Sequence, residues 1–241
     1  MKLIHPLNSF LVCLLFALII FLLPERASAQ SDYYKTSIAA GAGVTQSYAD
    51  VYGHNAALAY KVEFSYFLNP FINVGINYQS GKIVGGDRYT DRNQREFTND
   101  FKSVDLNIKL QLGVFGLQEE SGFFNAVKGL YVGTGIGGIN NNHKAAVRIY
   151  PPTGQRFPGY DRSKEMFVPF MTGINFHIPD KYNVSRISVS LNLQANIVSG
   201  EGLDSYDFNG TQGRQNIPDI FTFTSIGLSY HFGRNGWFGE Y

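Results

Sequence analysis

The sequence of 241 residues has a single cysteine and few charged side chains. Charged residues make up 16% of the chain, below the roughly 25% of an average soluble domain. The 20 Lys and Arg nearly balance the 19 Asp and Glu, so no charge excess predicts nucleic acid as a partner. Cys13 lies in an N-terminal apolar run, so the rest of the chain offers no disulfide framework and no thiol nucleophile.

The first 29 residues are expected to be a secretory signal peptide, which leaves 30–241 as one exported domain. Lys2 precedes the apolar run Phe10–Leu23, and the small residues Ala27 and Ala29 flank Ser28 at the expected cleavage site. The run is shorter than the ~20 apolar residues that a spanning helix needs. No later segment reaches 18 consecutive apolar residues, so no transmembrane helix is expected.

Apolar residues recur with a period of two, which is typical of β-strands with one apolar and one polar face. The clearest run is Val104–Val114, where every even position is apolar and the positions between them are Asp, Asn, Lys, Gln and Gly. Together with weaker runs it predicts eight strands, at Thr36–Tyr48, Leu58–Tyr66, Ile72–Tyr78, Val104–Val114, Leu130–Ile139, Phe167–Ile178, Ile187–Ile197 and Ile220–Phe232.

Long and short connectors alternate between these strands. The long ones are 49–56, 80–100, 140–164 and 199–219, and the shorter ones are 68–70, 116–127 and 179–184. This order is expected of an up-and-down barrel whose two ends lie on opposite sides of a membrane, whereas a Greek-key sandwich mixes loop lengths.

The composition of the two strand faces favours a transmembrane barrel over a soluble one. The polar face is rich in Gly, Asn, Ser and Gln, which suit a crowded lumen, and the apolar face carries bulky Leu, Ile, Val and Phe. Aromatic residues gather beside turns, as at a membrane interface, for example Tyr66, Phe67, Phe71 and Phe176. The fold class is therefore all-β, an eight-stranded antiparallel up-and-down transmembrane β-barrel. The alternative is a soluble lipocalin-like barrel that turns its apolar face inward around an apolar ligand.

The segment Ser225–Phe232, with alternate apolar positions and a final aromatic, resembles the terminal strand of small outer-membrane β-barrels. The family comprises barrels like outer membrane proteins A and X and the porin-like outer membrane β-barrel domain proteins of Bacteroidota. The resemblance implies a place in the outer membrane of a Gram-negative bacterium, surrounded by its lipids. It also implies a signal for the barrel-assembly machinery, formed by Gly227, Leu228, Tyr230 and Phe232.

Members of the family commonly stop at the aromatic residue, whereas residues 233–241 follow Phe232 here. These residues are expected to form a short C-terminal tail, unless Trp237, Gly239 and Tyr241 mark the true end.

Four charged residues are expected on the inner faces of the predicted strands: Lys61, Glu63, Asp105 and Lys109. An eight-stranded barrel is filled by side chains, and a buried charge without a partner is costly, so these residues should form an internal network that plugs the lumen. The functional alternative is a narrow ion path through that network. His177 and His231 share the inward register near the periplasmic end, where a lumenal hydrogen bond is favoured over metal binding.

No catalytic, cofactor or metal motif is evident, and the chain is not expected to be an enzyme. His54 and His143 lie in predicted extracellular connectors, with Ser47 and Asp50 near the first, but no Gly-x-Ser-x-Gly elbow is present. A lipid-modifying enzyme remains the less favoured alternative. Ser205–Gly210 matches only part of a calcium-loop pattern, so it predicts a solvated turn.

The third long connector is basic and aromatic, and it predicts a surface for lipopolysaccharide phosphates or another surface partner. Its relevant residues are Lys144, Arg148, Tyr150, Arg156, Phe157, Tyr160, Arg162 and Lys164. The expected function is a structural or interaction role in the outer membrane, or a narrow porin-like role.

Overall fold

The computed structural model describes the backbone of most of the chain beyond residue 32. The described residues are 33–48, 54–89, 91, 94–112, 129–147, 149–150, 154–156, 159–179, 185–200, 202–206 and 218–236. The expected signal peptide and the connector 116–127 lie outside them. No helix among these residues is long and apolar enough to cross a membrane.

Eight long strands account for most of the described residues. They are β1 (Tyr33–Tyr48), β3 (Ala57–Phe67), β4 (Ile72–Gly86), β5 (Glu96–Gln111), β6 (Leu130–Ala146), β9 (Arg162–Pro179), β10 (Ser185–Val198) and β11 (Ile220–Gly236). Three two-residue strands lie in the long connectors: β2 (His54–Asn55), β7 (Ile149–Tyr150) and β8 (Gln155–Arg156).

The eight long strands close into one up-and-down barrel. Each pairs antiparallel with its neighbours in sequence, and β1 closes the ring against β11 through a ladder from Tyr33↔Gly236 to Tyr48↔Ile220. Closure leaves no open sheet edge, which is the condition for a sheet to exist in lipid. The predicted fold class and strand number are confirmed.

The strands near the long loops are longer than the alternation predicted. β4 continues to Gly86 and β5 already begins at Glu96, so most of the predicted connector 80–100 is strand. In the same way, β6 continues to Ala146 and β9 begins at Arg162. Seven of the eight long strands have 14 to 18 residues, more than the roughly 9–11 that cross a bilayer, so the barrel wall projects beyond the membrane.

The last strand does not end at the aromatic residue Phe232. β11 runs on to Gly236, so residues 233–236 belong to the barrel wall, and the expected boundary of the tail is wrong. The ladder shifts register between Tyr34 and Thr36, and Gly233 adopts a φ of 95° there, a conformation that suits glycine at a bulge. Residues 237–241, with Trp237, Gly239 and Tyr241, lie outside the described residues.

Candidate functional site

The outer wall of the barrel carries a continuous apolar belt. Leu106 and Ile108, from the clearest alternating run, have 57% and 47% of their surface exposed, and Leu110 lies on the same outer face. Other strands expose Ile76, Ile136, Phe170, Leu191, Leu193, Ile226 and Leu228 in the same way. A soluble carrier would turn these side chains inward around its ligand. The lipocalin-like alternative is therefore wrong, and the belt is the surface that contacts lipid.

The lumen brings together three of the four predicted charged residues. Glu63 is 4% exposed and lies between two lysines of the inner face. Lys109 donates a hydrogen bond from Nζ to Glu63 Oε1, and Lys61 Nζ lies 3.7 Å from Oε2. Ser65 Oγ also donates to Oε1, at 3.3 Å. A single carboxylate thus pairs with two ammonium groups that are almost completely removed from solvent.

The fourth residue, Asp105, is buried but is held by amides. Asn77 Nδ2 and Asn107 Nδ2 each donate to one of its carboxylate oxygens at 2.9 Å. Among the described residues Asp105 lies in no ion pair. It shares a ladder row with Asn77 and Glu63 across β5, β4 and β3, so the inner charges occupy one side of the lumen.

Hydrogen bonds between distant strands cross the lumen. The Lys109 ammonium lies 5.5 Å from the centroid of the Tyr131 ring, and the Tyr131 hydroxyl donates to Asn192 Oδ1 at 2.7 Å. Gln79 Nε2 donates to Gln194 Oε1 at 2.9 Å, which connects β4 to β10. These bonds between non-adjacent strands fill the space that a channel would leave open.

The periplasmic half of the lumen retains a cavity of about 40 Å³, room for only a few water molecules. Glu63 and both of its lysines line it, together with His177 and His231. His231 Nε2 lies 2.9 Å from Ser188 Oγ, and the two histidine rings are 5.8 Å apart. The geometry around His231 therefore includes the lumenal hydrogen bond that the sequence favoured.

The extracellular half of the lumen is filled by a hydrophobic cluster that the sequence analysis missed. This mouth cluster consists of Ala59, Ile83, Phe97, Phe101, Ile139, Phe167, Val198, Leu203, Tyr206, Phe221 and Phe223. The Phe221 ring lies at its centre, 5.6 Å from the Phe101 ring and 6.4 Å from the Phe167 ring. Gly137 permits this packing, because a Cβ there would lie 2.6 Å from the Phe167 ring.

The last long loop closes the mouth with residues 202–206, which we term the mouth segment. Its Gly202 carbonyl accepts hydrogen bonds from His143 Nε2 at 2.9 Å and from Ser163 Oγ at 3.1 Å. The Gly202 amide donates to Glu165 Oε1 at 2.8 Å. A Cβ at residue 202 would lie 2.3 Å from that same oxygen and 2.6 Å from Ser163 Cβ, so glycine permits this close approach.

Leu203 and Tyr206 insert their side chains from the mouth segment into the cluster. Both are almost completely buried, at 0% and 1% exposure. Asn99 Nδ2 donates to the Leu203 carbonyl at 3.2 Å. The Tyr206 hydroxyl lies 2.8 Å from the Val147 carbonyl oxygen and 3.2 Å from that of Glu96, which anchors the segment to the neighbouring strands.

A signal for the mouth cluster exists in the sequence as a change of phase. In β11 the apolar residues Phe221 and Phe223 occupy odd positions, whereas Ile226 and Leu228 occupy even ones. The first pair faces the lumen and the second pair faces lipid. A phase change within one strand therefore marks where the apolar face moves from the outside to the inside.

The predicted assembly residues lie on β11 next to the closing strand β1. Leu228, Tyr230 and Phe232 face outward, and Gly227 faces the lumen. The Tyr230 and Phe232 rings stack at 6.2 Å with an interplanar angle of 16°. This arrangement displays an aromatic pair to the surroundings, and the role of these residues in assembly stays a prediction.

Of the residues considered for catalysis, His143 has a hydrogen-bond partner that gives it a structural role. His143 is not in a connector but on β6, where it is 8% exposed and bonded to the mouth segment. Ser47 is buried on β1, the backbone of His54 belongs to β2, and Asp50 lies outside the described residues. Ser205, from the partial calcium pattern, donates from Oγ to the Tyr160 carbonyl at 2.9 Å.

The basic residues predicted for the third long connector are distributed differently. Lys144, Arg162 and Lys164 lie on strands at the rim of the barrel. Arg148 and Phe157 lie outside the described residues, and Tyr150 and Arg156 are described only by their backbone in β7 and β8. Lys144, Arg162 and Lys164 lie on strands and not in a connector because β6 and β9 continue beyond the membrane.

Solved structures of small barrels share this architecture. Neisserial surface protein A aligns over 82% of this chain and 97% of its own, at 9% identity and a TM-score of 0.52. The attachment invasion locus protein Ail of Yersinia pestis aligns over 83% and 99%, at 11% identity and a TM-score of 0.45. The N-terminal β-barrel domain of Pseudomonas aeruginosa OprF aligns over 84% and 100%, at 11% identity and a TM-score of 0.41. No known family model and no curated protein matches the sequence.

The likeness to Neisserial surface protein A shows a shared fold, that of small eight-stranded outer-membrane barrels. The lipid-facing belt is an independent observation that agrees with it. On these two grounds the protein is an outer-membrane β-barrel.

Proposed function

We propose that this protein is a closed barrel that serves the outer membrane as a structural and interaction protein and does not conduct ions. The observation that carries the proposal is the presence of two different barriers in series along one lumen. The polar half is crossed by hydrogen bonds and retains about 40 Å³ of space, and the mouth cluster seals the other half.

The two barriers oppose ion passage for different physical reasons. At Glu63 an ion would compete with lysines that already neutralise the carboxylate. In the mouth cluster it would lose its hydration among Phe rings, which offer little compensation for a buried charge. A narrow pore would require the side chains of both halves to move at once.

The buried contacts of the mouth also argue for a structural use of residues that would otherwise suggest catalysis. His143 and Ser163 converge on a single carbonyl oxygen, that of Gly202, and so hold the mouth segment in place. The proposal therefore assigns no catalytic step to the chain. His143→Ala is expected to loosen the mouth segment. Neither the wild type nor this variant is expected to turn over a lipid substrate.

Planar-bilayer recording on the purified full-length barrel tests the proposal, with an established porin in the same bilayers as the positive control. Wild type, Glu63→Gln and Lys109→Met are all expected to give no unitary conductance, since the mouth cluster is intact in each. A wild-type conductance that shifts in Glu63→Gln or Lys109→Met would contradict the proposal and support the narrow pore instead.

A further inference from the structure

The outer face of the barrel changes from apolar to basic at one level across four neighbouring strands. The ladders place Tyr78, Val104, Gly138 and Met166 in one outward row of β4, β5, β6 and β9. The next outward row toward the long loops is Ser80, Lys102, Asn140 and Lys164, and the one after it is Lys82, Asp100, Asn142 and Arg162. Successive outward rows are two residues apart, roughly 6–7 Å along the strand.

The basic rows form a strongly cationic surface, which we term the rim patch. It consists of Lys82, Asp100, Lys102, Lys144, Arg162 and Lys164 around a groove of about 1180 Å³. Lys144 pairs with Asp100, which is the one acidic residue among the described ones that line the groove. Within the described part of the chain, the other four basic side chains have no ion pair. The rim patch thus holds an excess of positive charge directly above the apolar belt.

An apolar groove lies immediately below the rim patch, over Gly138. It has a volume of about 470 Å³, and its lining includes Tyr78, Val104 and Met166 as well as Lys102 and Lys164. A Cβ built on Gly138 would have no neighbour closer than 3.9 Å. The glycine therefore leaves space on the outer wall, and no packing inside the protein requires it.

We propose that the rim patch and the Gly138 groove together form a binding site for a phosphorylated lipid of the outer leaflet. Phosphate oxygens contact the rim-patch cations, for which Arg162 supplies a forked donor, and an acyl chain lies in the groove. Charge complementarity requires an anion, and the position of the cations one row above the belt matches the headgroup level. A soluble anion would have no use for the apolar groove below. The site lies on the outer wall, so it is independent of whether the lumen conducts.

The site can be tested by titrating the purified full-length barrel with a bisphosphorylated lipid A and counting bound lipid by native mass spectrometry. The double variant Lys102→Gln, Lys164→Gln is expected to weaken binding by about tenfold or more, because charge-assisted hydrogen bonds to phosphate are lost. Lys35→Gln, which removes a lysine near the opposite end of the barrel, is the matched control and should leave binding unchanged.

The Gly138 groove requires its own variant. Gly138→Leu places a side chain in the groove, where a Cβ would have no neighbour closer than 3.9 Å, so the barrel should fold while lipid A binding falls several-fold. Circular dichroism verifies folding. Ala40→Leu, on the outer face of β1, is the control for a larger side chain in the belt.

Two results would overturn the proposal. One is equal binding of lipid A and its dephosphorylated form, because the rim patch would then contribute no recognition. The other is unchanged lipid A binding in Gly138→Leu together with inorganic phosphate binding as tightly as the lipid. That pattern would identify an anion surface and not a lipid site.

Discussion

The two halves of the lumen are built from opposite kinds of side chain, although the same strands run through both. Near the chain termini the inner wall carries Lys61, Glu63 and Lys109 with a set of amides and hydroxyls. Near the long loops it carries Phe rings around Phe221 and Phe223. One half is held by directional hydrogen bonds and the other by apolar packing.

Toward the long loops the outer wall changes from apolar to polar, at nearly the level where the inner wall changes from polar to apolar. β5 exposes Val104 and Leu106 in the belt, and then Lys102 in the next row toward the long loops. Its inner residues change from Asp105 to Phe101 over a similar distance. The barrel is therefore polar inside and apolar outside within the membrane, and above the membrane it has the apolar core and polar surface of a water-soluble protein. The medium that surrounds each part of the barrel, lipid or water, determines which face of its wall is apolar.

The largest effect is expected when the polar half loses its central carboxylate. Glu63→Gln leaves Lys61 and Lys109 without their counter-charge in a buried site, which should cost about 4 kcal/mol of unfolding free energy. Denaturant unfolding of the barrel in lipid vesicles measures the change. The triple variant with Lys61→Gln and Lys109→Gln added should recover most of the loss. A cost below about 1 kcal/mol for Glu63→Gln would mean that water solvates the two ammonium groups well enough to replace the ion pairs with the carboxylate.

The mouth cluster should respond to loss of volume instead of loss of charge. Phe221 is 0% exposed, and Phe221→Ala removes the ring at the centre of the mouth cluster. The expected cost is about 3 kcal/mol of unfolding free energy in the same assay. Phe221 belongs to the mouth cluster and Glu63 to the polar half of the lumen, so the double variant with Glu63→Gln should show additive effects. A large coupling energy would show that the two halves act as one unit.

The third prediction concerns the level at which the surroundings of the outer wall change from hydrocarbon to water. Leu106→Arg places a charge in the belt and should cost about 2 kcal/mol, because the side chain faces hydrocarbon. Thr98→Arg is the matched control on the same strand and the same outer face, beyond the rim patch, and should be neutral. Equal costs at both positions would place the membrane boundary above Thr98 and contradict the assignment of the rim patch to the headgroup level.

Most of the wall of the barrel could be predicted from period-two alternation, because lipid imposes one rule on every strand within the membrane. Leu106 and Ile108 face outward, as predicted, and the inward register of Lys61, Glu63, Asp105 and Lys109 follows from the same alternation. The alternation assigns the projecting ends of the strands to loops, because their outward residues, such as Lys82 and Lys164, are polar.

The mouth segment could not be predicted for a different reason. Its position depends on contacts over long separations in sequence, such as Leu203 with Asn99 and Tyr206 with Val147. No local pattern in 202–206 distinguishes a segment that inserts into a lumen from a solvated turn. The contact partners become apparent only when the closed barrel brings them together.

The smallest effect is expected at the hydroxyl of Tyr206, which anchors the mouth segment. Tyr206→Phe keeps the ring in the mouth cluster but loses the hydrogen bond to the carbonyls of Glu96 and Val147, at a cost of about 1 kcal/mol. The substitution should lower the free energy of local opening of the mouth segment and leave the free energy of unfolding of the barrel unchanged. Hydrogen exchange of the Leu203 and Tyr206 amides at neutral pH should therefore accelerate about fivefold, while exchange on β10 stays unchanged. Faster exchange throughout the barrel would mean that the mouth segment supports the whole fold.

The same hydroxyl gives the mouth segment a dependence on alkaline pH. Burial raises the pKa of Tyr206 from the usual 10 to about 12, because the folded state keeps the phenol neutral among the Phe rings. Because the pKa is higher in the folded state, the contribution of the neutral hydroxyl to the stability of the closed mouth segment is complete below pH 10. It is lost as the pH rises from 10 through 12. In the NMR spectrum of protein labelled at the tyrosine Cζ, one resonance should titrate near pH 12 and be missing from Tyr206→Phe. If that resonance instead titrates near 10, the phenol is in contact with water, and the mouth is open more often than the packing of Leu203 and Tyr206 implies.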